Sequence, residues 1–307
     1  MPKLPPQLVA CSGRVFFRIT QASLETFEAS QTIPPPQIRG SAAAIQTGRI
    51  ELPEPLNVVA FGDARALVVA KGQLLTLRAG QKEGQKAPAI STPRPLLVWP
   101  DFEQSDTFWV RRLGEGSVHR YELEANGETF SQREQKLAAS EPRLFTVLAD
   151  GKPLYSTPKG LLRWGDEARP IQLPKLVRSA KLIFADHAGG RYWSSDAAGN
   201  LNLWELHGGE EPVSTAQVPG AVIDVASEGD RIAVLSMTKS ARKYRPTITI
   251  FSGGIQRAQL RMGETLTAHP EPQLDVCLIT GRPWVVVGGR TWLQVLDWST
   301  PRLLAEW

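Results

Sequence analysis

Short apolar runs rich in β-branched and aromatic residues recur along the chain. Many open on a Gly or Asp turn followed by a basic residue: Gly13-Arg14-Val15-Phe16-Phe17, Ala64-Arg65-Ala66-Leu67-Val68, Gly151-Lys152-Pro153-Leu154-Tyr155, Gly190-Arg191-Tyr192-Trp193, Asp230-Arg231-Ile232-Ala233-Val234 and Gly281-Arg282-Pro283-Trp284-Val285. Asp106-Thr107-Phe108-Trp109-Val110 belongs to the same series, with Thr in the basic slot. A second run, with apolar residues two apart, follows each of these and starts at Leu24, Leu75, Val118, Leu162, Leu201, Ile248 and Leu293. Alternation at this period predicts half-buried β-strands, and the turn residues between the runs predict hairpins. An apolar run precedes each pair, as at Leu56-Asn57-Val58-Val59-Ala60, Leu182-Ile183-Phe184-Ala185 and Leu274-Asp275-Val276-Cys277-Leu278, and a weaker polar run usually follows.

The spacing makes these runs a repeat. From the basic position to the second run the distance is ten or eleven residues in six units and seventeen in the sixth unit along the chain. The second runs are 39 to 51 residues apart, with a mean of about 45, the period of a four-stranded propeller blade. One such sheet cannot bury both of its faces, so similar sheets stack around an axis and each covers its neighbour. The pattern therefore predicts an all-β chain, a seven-bladed β-propeller of four-stranded antiparallel blades, strands a to d running from the axis outward. The expected single domain is 1–307, with blades near 7–50, 55–92, 95–140, 143–178, 181–219, 221–265 and 272–307. Two β-sandwiches would also give regularly spaced strands, but nothing in a sandwich demands a repeat of this length.

Composition agrees. The 307 residues include 26 Gly, 24 Pro and 9 Trp, more turn formers than a helical bundle would carry. The two cysteines, Cys11 and Cys277, form neither a metal-ligand pair nor the dense framework of a small secreted scaffold. With no apolar run long enough for a signal peptide or a membrane span, the expectation is a cytoplasmic protein with no membrane partner.

Residues Trp193 to Leu206 (Trp193-Ser194-Ser195-Asp196-Ala197-Ala198-Gly199-Asn200-Leu201-Asn202-Leu203-Trp204-Glu205-Leu206) resemble the end of a WD40 repeat, a strand, an Asp/Gly turn and an apolar strand closing on Trp-Asp. Leu293-Gln294-Val295-Leu296-Asp297-Trp298 is a looser echo. The other units lack the closing dipeptide, none has the upstream Gly-His, and His119, His187, His207 and His269 share no register. The resemblance implies a divergent WD40-like propeller whose role is protein interaction.

The chain lacks the GxSxG, HExxH, P-loop, GxGxxG and EF-hand patterns. Asp196 to Asn200 offers one carboxylate and reads as a tight hairpin rather than a calcium loop. No two histidines lie at metal-ligand spacing. The chain is thus expected to be non-enzymatic, with no cofactor and no metal. The alternative is a propeller-type hydrolase or lactonase, which gathers an axial active site from residues far apart in sequence.

The charges are unevenly placed. Net charge is +4. The b–c connections, which share one face of a propeller with the d–a connections, hold Lys71, Arg111, Arg112, Lys159, Lys239, Arg242, Lys243, Arg245 and Arg290 against Glu115 and Asp196, a net +7 that leaves −3 for the rest. The extra residues of the sixth unit fall in this face as Thr238-Lys239-Ser240-Ala241-Arg242-Lys243-Tyr244-Arg245-Pro246. Arg supplies bidentate contacts and Tyr a flat apolar surface, so these nine cations and Tyr244 are the expected binding residues for a protein with an acidic surface or segment. Nucleic acid is a weaker alternative.

The basic residues that open strand b repeat at one structural position and are expected to be structural. Trp109, Trp193 and Trp284 are expected in the core between blades, with Trp99 and Trp307 free to be exposed. First and last units each contain four strands of their own, so the ring should close by side-chain packing. Cys11 and Cys277 then fall on neighbouring inner strands, and in a reducing compartment they are expected as free thiols.

Overall fold

The computed structural model describes residues 8–30, 44–61, 64–80, 89–91, 96–100, 106–112, 116–124, 129–136, 144–148, 150–156, 161–164, 171–172, 180–186, 190–240, 243–262, 265–266 and 273–307. Among them every helix or strand is a strand, and all strand pairs are antiparallel. The first sheet is β1 (Val9–Ser12), β2 (Val15–Ile19), β3 (Ser23–Ala29) and β4 (Ala44–Glu51). The second is β5 (Pro55–Phe61), β6 (Arg65–Ala70), β7 (Gln73–Arg78) and β8 (Ala89–Ser91). The third is β9 (Leu96–Pro100), β10 (Thr107–Arg112), β11 (Ser117–Leu123) and β12 (Phe130–Lys136), and the fourth β13 (Phe145–Val147), β14 (Pro153–Ser156), β15 (Leu161–Trp164) and β16 (Ile171–Gln172). The fifth is β17 (Leu182–Ala185), β18 (Arg191–Ser195), β19 (Asn200–Glu205) and β20 (Ser214–Gln217). Next come β21 (Ala221–Glu228), β22 (Arg231–Ser240), β23 (Lys243–Ser252), β24 (Ile255–Arg261) and β25 (Thr265–Leu266). The last sheet is β26 (Asp275–Leu278), β27 (Trp284–Gly288), β28 (Leu293–Asp297) and β29 (Arg302–Glu306).

Within each sheet, neighbours in sequence are neighbours in space, as hairpin connections dictate, except that β25 pairs with β23. Six sheets have four strands; the one built from β21–β25 has five. The expectation of uniform four-stranded blades thus holds for six and is corrected for this one. The cause is the insertion read from the sequence. It lengthens β23 past the end of β24, and β25 pairs the protruding Lys243 and Tyr244, covering part of an edge that would otherwise expose unpaired backbone groups.

The sheets stack as a propeller ring, and the two-residue alternation of the strands builds each joint. On β2, Phe17 packs toward Val58 and Val68 of the second sheet, while Phe16 faces the other way, toward Trp284 and Val295 of the last. The same division recurs around the ring. Leu67 meets Phe108, Trp109 meets Phe145, Leu154 meets Tyr192, Trp193 meets Val234, and Leu235 meets Val285, each pair in its own apolar cluster. Trp109, Trp193 and Trp284 are therefore core residues, as expected. Trp99 and Trp307 are half-buried, Trp99 against Phe145 and Trp307 against Phe16 and Phe27.

The basic residues opening strand b tie the opposite rim together. Arg65 pairs with Asp106 of the next sheet, and Arg231 pairs with Glu228 and donates to the carbonyl of Arg282 in the last. Arg14 pairs with Glu28 and Arg191 with Asp186 within their own sheets.

At the joint between first and last sheets, Cys11 and Cys277 do lie on neighbouring inner strands. They are not free thiols: they form a disulfide across 266 residues of sequence, with Cα atoms 5.7 Å apart. That separation falls where disulfides normally form, so the expectation of free thiols is corrected. It rested on an assumed compartment and on a strand spacing that only the closed ring defines.

Candidate functional site

Antiparallel order puts the b–c hairpins and d–a connections on one face of the ring, and the residues predicted for binding divide sharply there. The longest of these hairpins is β22–β23. Both of its strands run for ten residues, against four to six in the other b strands. Lys239 lies opposite Tyr244, Thr238 opposite Arg245, and Ser240 opposite Lys243. Lys239, Lys243 and Arg245 are exposed. Alternation sends Lys243 and Arg245 to the side of the fifth sheet and Lys239 with Tyr244 to the side of the last.

Tyr244 is not the surface contact expected of it. It is 7 % exposed and belongs to the apolar cluster with Met237, Leu260 and Leu274. The Lys239 ammonium lies 5.3 Å from its ring centroid, within cation–π range. Tyr244 therefore anchors the hairpin to the body.

Lys71 is exposed at the tip of the β6–β7 hairpin, where it and Gly72 both have left-handed backbone, φ 31° and 74°, as a type I′ turn requires. Arg111 and Arg112 fall inside β10, not in the loop assigned to them. Arg111 is buried, with its guanidinium 5.8 Å from the Phe145 ring centroid. Alternation explains it: Arg111 is two residues past Trp109 and shares its inward face. Arg112 is half-buried and reaches Nε2 of His119 and the Tyr121 hydroxyl, both at 3.4 Å. Arg290 donates through Nη1 to the carbonyls of Thr20 at 2.9 Å and Pro55 at 3.0 Å, and burial lowers its pKa. It joins the last sheet to the first two. Lys159 and Arg242 lie outside the described residues. Of the ten residues, Lys71, Lys239, Lys243 and Arg245 are thus presented to solvent, whereas Arg111, Arg112, Tyr244 and Arg290 are drawn into the fold.

Asp196 to Asn200 form the tight hairpin predicted, and Asp196 caps it, accepting from the backbone N–H of Ala198 and Asn200 and from Nδ2 of Asn200. Burial works to raise its pKa, but these bonds, with one from Gly199, outweigh it and leave the carboxyl below its ordinary value.

The axis holds a cavity of about 330 Å³, lined by the innermost strand of every sheet. Its described lining is mostly apolar, contains Asp224 and Glu228, and includes no Lys, Arg or His. At one end a carboxyl pair that sequence reasoning missed binds adjacent sheets together. Oδ2 of Asp275 accepts from the N–H of Leu8 at 2.7 Å and of Val9 at 3.0 Å, and Oδ2 of Asp224 accepts from the N–H of Val276 at 2.9 Å. Burial first, then the charge of Asp224 and a hydrogen bond to it, raise the Asp275 pKa well above the usual carboxylate range. The signal was present: Ile223-Asp224-Val225 and Leu274-Asp275-Val276 put an Asp at the same place in two consecutive inner strands. Among the described residues no group of three His, Cys, Asp or Glu side chains is arranged to hold a metal.

No protein-family model and no curated protein matches the chain. Solved structures match in fold over nearly the full length. Hsv2 of Kluyvelomyces marxianus superposes with a TM-score of 0.60 at 9 % identity, covering 96 % of this chain and 93 % of that one. Sqt1 of Saccharomyces cerevisiae gives 0.57 at 8 % identity, with coverage of 98 % and 84 %. AztD of Citrobacter koseri gives 0.53 at 12 % identity, with coverage of 98 % and 85 %. The chain is a β-propeller, and its likeness to these structures lies in fold and not in sequence.

Proposed function

We propose that this single-domain propeller is a non-enzymatic interaction platform that engages an acidic protein segment through the long basic hairpin of its b–c face. The observation that carries the reading is the hairpin itself. It reaches beyond the neighbouring hairpins and is stiffened by β25 on its outer edge. Tyr244 fixes it to the core while Lys239, Lys243 and Arg245 stay exposed. Rigid scaffolds carry their binding residues on such projections, and a pre-ordered strand pair loses less entropy on binding than a mobile loop. Lys71 adds a further exposed cation to the same face, and Arg242 belongs to the hairpin by sequence.

The axis supports a platform over a hydrolase. Oδ2 of Asp224 and Oδ2 of Asp275 are engaged by backbone N–H groups of neighbouring sheets, which is work of assembly rather than of catalysis. The five-stranded sheet is the ring's seventh blade in this reading, since its two faces pack on the fifth and last sheets. A cross-ring disulfide favours an oxidising compartment over the reducing cytosol.

The test is affinity capture from the native host with the wild-type protein and with a variant carrying Lys239→Gln, Arg242→Gln, Lys243→Gln and Arg245→Gln. The reading expects a defined protein partner held by the wild type and lost from the variant at unchanged thermal stability. Equal capture by both proteins overturns it. Capture of nucleic acid with a steep salt dependence transfers the face to the other class of polyanion.

A further inference from the structure

We infer that the Cys11–Cys277 disulfide is a redox-addressed clasp of the ring, released by a small dithiol arriving through the axial cavity and re-formed by exchange with a small disulfide, which takes up the two electrons. First and last sheets are each built from four consecutive strands, so no strand is exchanged between them. Every other pair of adjacent sheets is joined by the chain's own connection. This pair is joined covalently through the two sulfurs alone.

The surroundings hold the two inner strands in register. On one side of the bridge Asp275 accepts from the N–H of Leu8 and Val9. On the other, the N–H of Thr280 donates to the carbonyl of Gly13 at 3.1 Å. Behind it lie Phe16, Phe27 and Trp284. Reduced cysteines in this frame face one another across a short gap, so after one of them exchanges with a small disulfide the other displaces the mixed disulfide within the chain and returns the same pair, the oxidant leaving as its thiols.

Access runs through the axis. Both cysteines line the cavity, Cys11 half-buried and Cys277 7 % exposed. A cavity of about 330 Å³ admits a small molecule, whereas the body of a protein reductase is far larger. One thiolate of the dithiol attacks Sγ of Cys11, the Cys11–Cys277 bond breaks, and Cys277 departs as a thiolate that takes a proton. The second thiol of the reductant then closes on the mixed disulfide, and Cys11 is released as a thiol. Two electrons pass to the protein, and the reductant leaves as its cyclic disulfide. Because the described lining carries Asp224 and Glu228 and no basic residue, an uncharged dithiol should enter more readily than an anionic thiol.

The experiment treats the full chain with dithiothreitol under native conditions and counts free thiols by alkylation and mass spectrometry, alongside melting temperature and hydrogen exchange. Expected are two new thiols without unfolding, a fall in melting temperature of roughly 5–12 °C, and faster exchange in β1 and β26 with β17 unchanged. Glutathione at equal thiol concentration should act more slowly, and Cys11→Ser/Cys277→Ser should match the reduced protein. Three results overturn the inference: free thiols in protein prepared without reductant, a disulfide that yields only after global unfolding, or reduction that leaves melting and exchange unchanged. Treatment of the wild type decides the matter even if the double variant does not fold.

Discussion

At Asp275 a single carboxyl carries part of the joint between two sheets, and its chemistry fixes how stability should depend on pH. Burial and Asp224 raise its pKa in the folded protein; in the unfolded chain the group returns to about 3.9. Folding therefore binds a proton. The contribution is fully present below about pH 4, and it declines as pH rises until the folded group itself ionises. Asp275→Asn cannot ionise, yet its side-chain oxygen can still accept from Leu8 and Val9, so urea midpoints for this variant should lose part of the wild type's decline between pH 4 and 8. Parallel curves for the two proteins would remove the titration from the account. Asp275→Ala leaves two buried amides unpaired and should cost about 2–4 kcal/mol. Arg290→Ala removes a donor shared by two carbonyls. It should cost about 1–3 kcal/mol in denaturant titration while leaving partner binding as in the wild type, the reverse of what its place among the predicted binding residues implied.

The β22–β23 hairpin separates binding from stability within one element. Replacing Lys239, Lys243 and Arg245 together by Gln should move the unfolding free energy by no more than about 1 kcal/mol, since exposed substitutions are usually small. Tyr244→Ala, one residue from two of those cations, should cost about 2–4 kcal/mol because it empties a packed site. Denaturant titration of the two variants checks both, and a reversal would show that Tyr244 is the contact and the cations the support. The sequence displayed the length and charge of this element, because an insertion interrupts a regular spacing. It did not display the direction of Tyr244, which depends on strand pairing continuing through the inserted residues and so extending the alternation outward from Ile248 and Ile250. Arg111 fails for the same reason in reverse. A strand end set two residues early placed it in a loop, although its phase relative to Trp109 already pointed it inward.

For the whole molecule, the repeat of about 45 residues was legible because each sheet needs the same apolar strands to cover its neighbours, and that need writes a period into the chain. The fifth strand of the β21–β25 sheet was not, since Thr265–Leu266 is too short to leave an alternating pattern. Proximity of Cys11 and Cys277 followed from counting units around the ring. Their bond did not, because it depends on the distance between two inner strands at the joint.

The central claim is that the hairpin face binds an acidic partner, and a titration with a labelled Glu/Asp-rich peptide followed by fluorescence anisotropy tests it most directly. The proteins to compare are the wild type, the Lys239→Gln/Arg242→Gln/Lys243→Gln/Arg245→Gln variant, and a control with Arg14→Gln and Lys152→Gln on the opposite rim. The account predicts saturable binding by the wild type and the control, and at least about a tenfold weaker affinity for the hairpin variant, the loss of some 1.4 kcal/mol or more. Equal affinity in all three proteins, or a loss confined to the opposite-rim control, would contradict it.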